Sequence, residues 1–215
     1  DYKGYNIAIH QLGHCVEQTL TLHPMDYYML KGVPSNGFTE AFAFVFQKRD
    51  LQILGIESST PSDDTDNAND LACLDLFWGT YEIMGVSLVD MKVWNWLYQH
   101  PDAGPGELKQ AVIRISREVW NEYYAPIFGI KDQIILGIYS HMIDYALYLA
   151  DYPLGHLIQY QIETYLEDKP IGPEMARMCR SGRILPQEWM KAAVGSEITV
   201  SPLLNAVNTA LKRIQ

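Results

Sequence analysis

Apolar residues recur every three or four positions along most of this chain, and no segment alternates between apolar and polar residues as a strand would. In the first such run the apolar residues are Ile7, Leu12, Val16 and Leu20, which predicts a helix over 5–22. Similar spacing returns in every later apolar segment. The sequence therefore predicts an all-α fold built from many helices.

Segments rich in Gly, Pro and polar residues separate the predicted helices. The second helix includes Phe42 and stops near Gly55. The polar run 58–69 predicts a surface loop and a possible sub-boundary between domains. The remaining predicted segments are a long helix over 70–100, a break over 101–106, a helix over 107–124, an apolar and aromatic stretch over 132–167, and three short helices, the last capped by Ser201.

Length and charge limit the class of protein. The chain has 215 residues, of which 48% are apolar, enough for one domain or two small ones. Its net charge of −10 makes nucleic acid and anionic membranes poor partners. No apolar run predicts a transmembrane segment. The three cysteines are widely spaced, so we expect small buried apolar residues and no disulfide framework.

The segment HQLGH carries the clearest chemical signal in the chain. His10 and His14 are four residues apart, so on a helix they lie on one face and can bind one cation together. Zinc sites of this type need a third protein ligand and leave a fourth position open. Glu40, on the next predicted helix, is the candidate. The sequence therefore predicts one Zn²⁺ held by His10, His14 and Glu40.

The stretch from His10 to Gly55 resembles the gluzincin peptidases, in particular the group of thimet oligopeptidase, oligoendopeptidase F and angiotensin-converting enzyme. These enzymes carry H-E-x-G-H on one helix and a Glu-Ala pair on the next, which Glu40 and Ala41 match. The resemblance implies that residues 1–215 form the C-terminal catalytic half of a peptidase, with its zinc site between two adjacent helices. It also implies two partners, a peptide substrate and the N-terminal half of the same protein.

A second stretch, Tyr152 to Gln161, resembles a segment of the same group. In relatives a tyrosine there stabilises the oxyanion of the tetrahedral intermediate, and Tyr152 is the matching residue. A histidine upstream in relatives contacts the substrate backbone, and His141 is the counterpart. His156 and Tyr148 are further candidates for substrate binding.

Gln11 stands where the group has its catalytic glutamate. In the family mechanism that carboxylate accepts a proton from the attacking water, whereas an amide is not a base near neutral pH. Losing such a base costs about 10²–10⁴ in rate. The sequence thus predicts a metallopeptidase that is inactive or strongly impaired. The alternatives are a non-catalytic domain that binds zinc and peptide, and a structural helical domain with an incidental histidine pair.

Three acidic residues are candidates for orienting the histidines. Glu17 is one helical turn beyond Gly13 and either supports His14 or faces solvent. Asp50 and Glu57 could each orient a ligating histidine, and the sequence favours neither.

Overall fold

A computed structural model describes residues 1–56 and 65–214, with side chains described from residue 68 onward in the second range. Every regular element in these two ranges is helical, which confirms the predicted all-α class. The α-helices are α1 (Tyr2–Leu22), α2 (Asn36–Gln47), α3 (Asp50–Ile53), α4 (Thr65–Gln99), α5 (Pro105–Val119), α6 (Ala125–Phe128), α7 (His141–Asp144), α8 (Asp151–Leu166), α9 (Ile171–Cys179), α10 (Pro186–Val194) and α11 (Ser201–Ile214).

Most helix boundaries lie within a few residues of their predicted positions. Helix α1 begins earlier than expected because the Asp1 carboxylate accepts a hydrogen bond from the Gly4 amide at 2.8 Å and caps it. Most of the polar loop predicted over 58–69 lies outside the described residues. Its last residues, from Thr65, belong to α4.

The described chain divides into two compact units, and the division does not fall at the polar loop. Unit 1 comprises Asp1–Phe77 and Leu154–Gln215, and unit 2 comprises Trp78–Pro153. Helices α4 and α8 each contribute residues to both units. Each unit has its own hydrophobic core.

The core of unit 1 joins α2, α8, α9 and α10. Trp189 of α10 is fully buried, and its ring makes edge contacts with Phe38 and Phe42 of α2 at centroid distances of 4.9 and 5.9 Å. Edge-to-face packing of this kind adds to the stabilisation from buried apolar area. These ring contacts therefore hold helix α2 against the core of unit 1.

Helices α1 and α2 approach each other closely at Gly13. A Cβ at this position would lie 2.7 Å from the Cα of Ala43 and 3.2 Å from its carbonyl oxygen, closer than van der Waals contact permits. Only glycine fits at such a crossing. This close approach brings the histidines of α1 within reach of α2.

The core of unit 2 joins α4, α5 and the segment that leads into α8. Between α5 and α6 the chain forms one π-helical turn, Trp120–Tyr124. The hydroxyl of Tyr124 donates a hydrogen bond to the carbonyl of Tyr81 on α4 at 2.6 Å. A Cβ at Gly85 would overlap the Tyr124 ring, so this glycine makes room for the ring.

One helical segment, Ala68–Gln99 within α4, is long and apolar enough to cross a membrane by length and composition alone. The sequence predicted no transmembrane segment. Core helices of soluble proteins meet the same criterion, so the finding is weak support for a membrane span.

The cysteines differ in exposure. Cys179 is buried as expected, Cys73 is half-buried, and Cys15 is exposed, contrary to the expectation that all three are buried. Cys15 lies outside the buried stripe of α1, which is Ile9, Gly13, Glu17 and Thr21.

Candidate metal centre

Three side chains from α1 and α2 converge on one point in unit 1. The Nε2 atoms of His10 and His14 are 3.1 Å apart. One carboxylate oxygen of Glu40 lies 3.3 Å from His10 Nε2, and the other lies 3.7 Å from His14 Nε2. The structure thus brings together the three residues predicted as zinc ligands, in a geometry that could hold a metal ion.

Two of these separations are close to the edge length of a tetrahedral site. At metal–ligand distances of about 2.0–2.1 Å, two ligand atoms in tetrahedral coordination are about 3.3–3.4 Å apart. The separation of the two Nε2 atoms, 3.1 Å, and that of His10 Nε2 from one Glu40 oxygen, 3.3 Å, are close to that value, whereas the 3.7 Å contact of His14 Nε2 is with the other oxygen of the carboxylate. The donor set of two imidazoles and one carboxylate is one that zinc uses in catalytic sites.

A hydrogen-bond relay fixes the ring of His14. Its Nδ1 lies 3.0 Å from the hydroxyl oxygen of Thr39. That hydroxyl donates its own hydrogen to Glu17 at 2.8 Å, and Thr21 donates to the other oxygen of the same carboxylate at 2.8 Å. Because the Thr39 hydrogen is used, His14 Nδ1 must donate to its lone pair.

A longer relay fixes the ring of His10. Its Nδ1 lies 3.0 Å from the side-chain carbonyl oxygen of Gln47. The amide nitrogen of Gln47 donates to Asn6, and the amide nitrogen of Asn6 donates at 2.7 Å to the carboxylate of Asp50. Since the Gln47 oxygen only accepts, His10 Nδ1 also carries the hydrogen.

The two relays have the same electronic consequence. In the neutral form of both rings, hydrogen on both Nδ1 atoms leaves a lone pair on each Nε2 atom, and the two Nε2 atoms are 3.1 Å apart beside the Glu40 carboxylate. Three groups rich in electrons in one place repel one another unless a cation lies among them. Outer hydrogen bonds of this kind also fix the tautomer that a metal-binding histidine needs.

Burial favours the neutral state of the His14 imidazole. Glu40 is 2% exposed, and the two histidine side chains are 13% and 17% exposed. Desolvation lowers the pKa of His14, and the charge of Glu40 opposes that change without reversing it. Metal binding requires the neutral ring, so this shift favours it.

Glu17 itself is buried, which decides between its two interpretations in favour of support for His14. Desolvation raises the pKa of this carboxyl group, while the hydrogen bonds from Thr39 and Thr21 lower it. For Asp50, the hydrogen bonds from Tyr2 and Asn6 lower the pKa. Glu57, the other candidate, lies outside the described residues.

His156 lies on α8 beside the cluster. Its ring is 4.5 Å from the ring of Phe44, which in turn is 5.1 Å from the ring of His10. Desolvation lowers the pKa of His156 to about 4, so its ring is neutral at physiological pH. A Cβ at the preceding Gly155 would lie 2.9 Å from the Cβ of Glu40, so α8 packs directly against Glu40.

The other predicted site residues have different surroundings. Gln11 is exposed on α1, next to His10 in sequence. Three of the predicted site residues, His141, Tyr148 and Tyr152, belong to unit 2, where their rings form an aromatic group. The ring of Tyr152 is 6.4 Å from His141 and 5.5 Å from Tyr148.

Sequence reasoning missed the neutral residues of the two relays, Thr39, Gln47 and Asn6. Each lies at a position that helical spacing could have identified. Asn6 is four residues before His10, and Gln47 is seven residues after Glu40, so each shares a helical face with a ligand. Thr39 directly precedes Glu40 and carries no such signal.

Comparison with known protein families and with curated proteins finds no match to this chain.

Proposed function

We propose that this chain is a zinc-binding domain of metallopeptidase type. The observation that carries the proposal is the approach of the His10 and His14 Nε2 atoms to 3.1 Å, next to the buried carboxylate of Glu40. A zinc ion among these three groups would remove their mutual repulsion and satisfy its usual donor set. The two relays support this by holding each imidazole with Nε2 directed inward.

The resemblance of His10–Gly55 to the gluzincin peptidases supports peptide-bond hydrolysis as the ancestral reaction. Zinc in such a site supplies Lewis-acid chemistry toward a carbonyl group. The chain's own contribution is to bind and orient the peptide. Tyr152 would donate a hydrogen bond to the developing oxyanion, and His141, Tyr148 and His156 would contact substrate.

Gln11 determines how far that reaction can proceed. Its amide can hold a water molecule by hydrogen bonds but cannot accept the proton from it. Nor can it deliver a proton to the leaving amine. On this proposal the chain retains zinc and peptide binding, and hydrolysis is slower by about 10²–10⁴ or more than with glutamate at this position.

The test has a metal arm and an activity arm. The purified chain should hold one equivalent of zinc by elemental analysis, and the double variant His10→Ala, His14→Ala should hold none. In the activity arm, a quenched-fluorescent peptide library is incubated with the chain and with Gln11→Glu. Turnover that appears only in Gln11→Glu and is abolished by chelator supports the peptidase assignment.

A zinc-bound chain without turnover in either form supports the second candidate, a non-catalytic domain that binds zinc and peptide. The exposed glutamine at position 11 favours this candidate. Absence of zinc from the purified chain, with no uptake on titration, overturns both. A proton shared between the two Nε2 atoms would then account for their separation.

A further inference from the structure

The segment 139–152 carries five aromatic side chains, and four of them, His141, Tyr145, Tyr148 and Tyr152, form a chain of ring contacts. Successive centroid distances are 6.4 Å for His141 to Tyr145, 5.9 Å for Tyr145 to Tyr148, and 5.5 Å for Tyr148 to Tyr152. Only one short helix, α7, lies wholly inside this segment. The ring contacts alone leave open what holds its backbone.

The backbone of the segment is tied to one face of α4. Ser87, Asp90 and Trp94 are spaced by three and four residues, so they share a helical face. The Ser87 hydroxyl lies 2.6 Å from the carbonyl oxygen of Leu149 and donates to it. The indole N–H of Trp94 donates to the carbonyl oxygen of Met142 at 2.9 Å.

Asp90 lies between these two contacts and is completely buried. The amides of Leu147 and Leu149 lie close enough to its carboxylate to lower its pKa, although neither oxygen makes a hydrogen bond of full geometry. Desolvation has the larger effect and raises the pKa. A buried carboxyl group with weak partners is costly, so its position calls for an explanation other than stability.

Leu147 provides that explanation. Its φ of 63° lies in the left-handed region, which a leucine rarely adopts. The amide of Leu147 and that of Leu149 are the two backbone groups that lower the pKa of Asp90. The carboxylate therefore faces the point where the segment is most strained.

We infer that Ser87, Asp90 and Trp94 are positioning residues that clamp segment 139–152 in the conformation presenting Tyr148 and Tyr152. The contribution of this clamp to peptide binding rests on the proposed function. The effect of the clamp on the conformation of the segment is independent of that function. Holding a strained backbone in place before substrate arrives reduces the ordering that binding would otherwise require.

Hydrogen exchange followed by NMR tests the clamp in the full chain. In Asp90→Asn, one amide of the segment faces an NH₂ group instead of an oxygen. We expect the amide hydrogens of Leu147 and Leu149 to exchange at least about 10-fold faster, while those of α5 in the same unit keep their rates. Ser87→Ala should accelerate exchange near Leu149 in the same local way.

Asp75→Asn, an exposed position on the same helix, is the matched control and should change neither region. Uniformly faster amide exchange across unit 2 in Asp90→Asn would show that Asp90 has a merely structural role and would overturn the inference. Unchanged exchange rates at Leu147 and Leu149 would overturn it as well. Zinc content and anisotropy of a fluorescein-labelled alanine pentapeptide with a central phenylalanine are measured on the same samples. Failure of the unmodified chain to bind zinc or peptide would count against the proposed function alone. The hydrogen-exchange rates would still report on the clamp.

Discussion

The cluster of His10, His14 and Glu40 and the aromatic segment 139–152 are built in opposite ways. The cluster lies on two long helices, and its three side chains are largely buried. The segment is mostly irregular, and Tyr145 within it is 64% exposed. One region directs its side chains to a single point, whereas the other places the exposed ring of Tyr145 beside half-buried aromatic rings.

The difference indicates which part of the proposed chemistry is preformed. A metal site needs ligand atoms placed to within a few tenths of an ångström, and buried relays on rigid helices achieve this. A peptide-binding surface tolerates more variation, and loops commonly provide it. We therefore expect zinc binding to depend on unit 1 and to be insensitive to changes in the segment.

The largest expected effect is that of Glu40→Ala on zinc affinity. Structural zinc sites with four ligands bind with about 10–16 kcal/mol, so loss of one ligand should cost about 3 kcal/mol or more, at least about 100-fold in Kd. Competition titration with a chromogenic chelator measures it. Tyr145→Ala, in the exposed segment, should keep the affinity of the unmodified chain. Equal losses in the two variants would refute the contrast between the regions.

His156 should make the stability of the metal-free chain depend on pH. Desolvation lowers its pKa to about 4, while an unfolded imidazole titrates near 6.5. The unfolded chain therefore binds the proton more readily, so stability is full above pH 6.5 and is lost as pH falls toward 4. The contribution amounts to about 3 kcal/mol.

Urea unfolding at pH 7, 6, 5 and 4 in the presence of chelator measures this dependence. His156→Gln should show a shallower decline than the unmodified chain, and His23→Gln in an exposed loop is the matched control. The same slope in His156→Gln and in the unmodified chain would contradict the assignment.

Thr39→Val tests the relay to His14. The isosteric change removes the acceptor for His14 Nδ1 and one donor to Glu17. Loss of an outer hydrogen bond to a metal ligand typically weakens metal affinity about 10–100-fold. The control is Thr19→Val, which removes a hydroxyl bonded only to its own helix backbone. Similar zinc affinities for the two variants would show that the relay to His14 does not strengthen zinc binding.

The smallest of these effects is that of Gly13→Ala on stability. The added methyl group would overlap the backbone of Ala43, so α1 and α2 must separate at a cost of about 1–3 kcal/mol. Gly106→Ala, in the first turn of α5 with open space around it, should be neutral or slightly stabilising. Thermal unfolding of the two variants provides the comparison. A stabilised Gly13→Ala would show that the helices do not cross as closely as described.

The sequence predicted the helices and the shared face of His10 and His14 because both have a local signal. Helical spacing and the four-residue separation of His10 and His14 are visible in the sequence and do not depend on how the rest of the chain folds. The buried face of α1 was not predictable in the same way. Ile7 and Leu12, two of the apolar residues whose spacing predicted the helix, are both substantially exposed, and the buried stripe includes Glu17 and Thr21.

The reason is that polar side chains on a helix become buried only when groups on another helix form hydrogen bonds with them. Thr39 is such a partner, and its position next to Glu17 depends on how α1 and α2 cross. The same holds for Asp90, whose burial reflects the path of segment 139–152 rather than any local pattern.

X-ray absorption at the zinc K-edge of the purified chain tests the central claim most directly. The account predicts a first shell of nitrogen and oxygen atoms at about 2.0–2.1 Å, with the multiple-scattering pattern of two imidazoles that disappears in His10→Ala, His14→Ala. A first shell with sulfur near 2.3 Å, or zinc that remains bound with the same spectrum in that double variant, would contradict it.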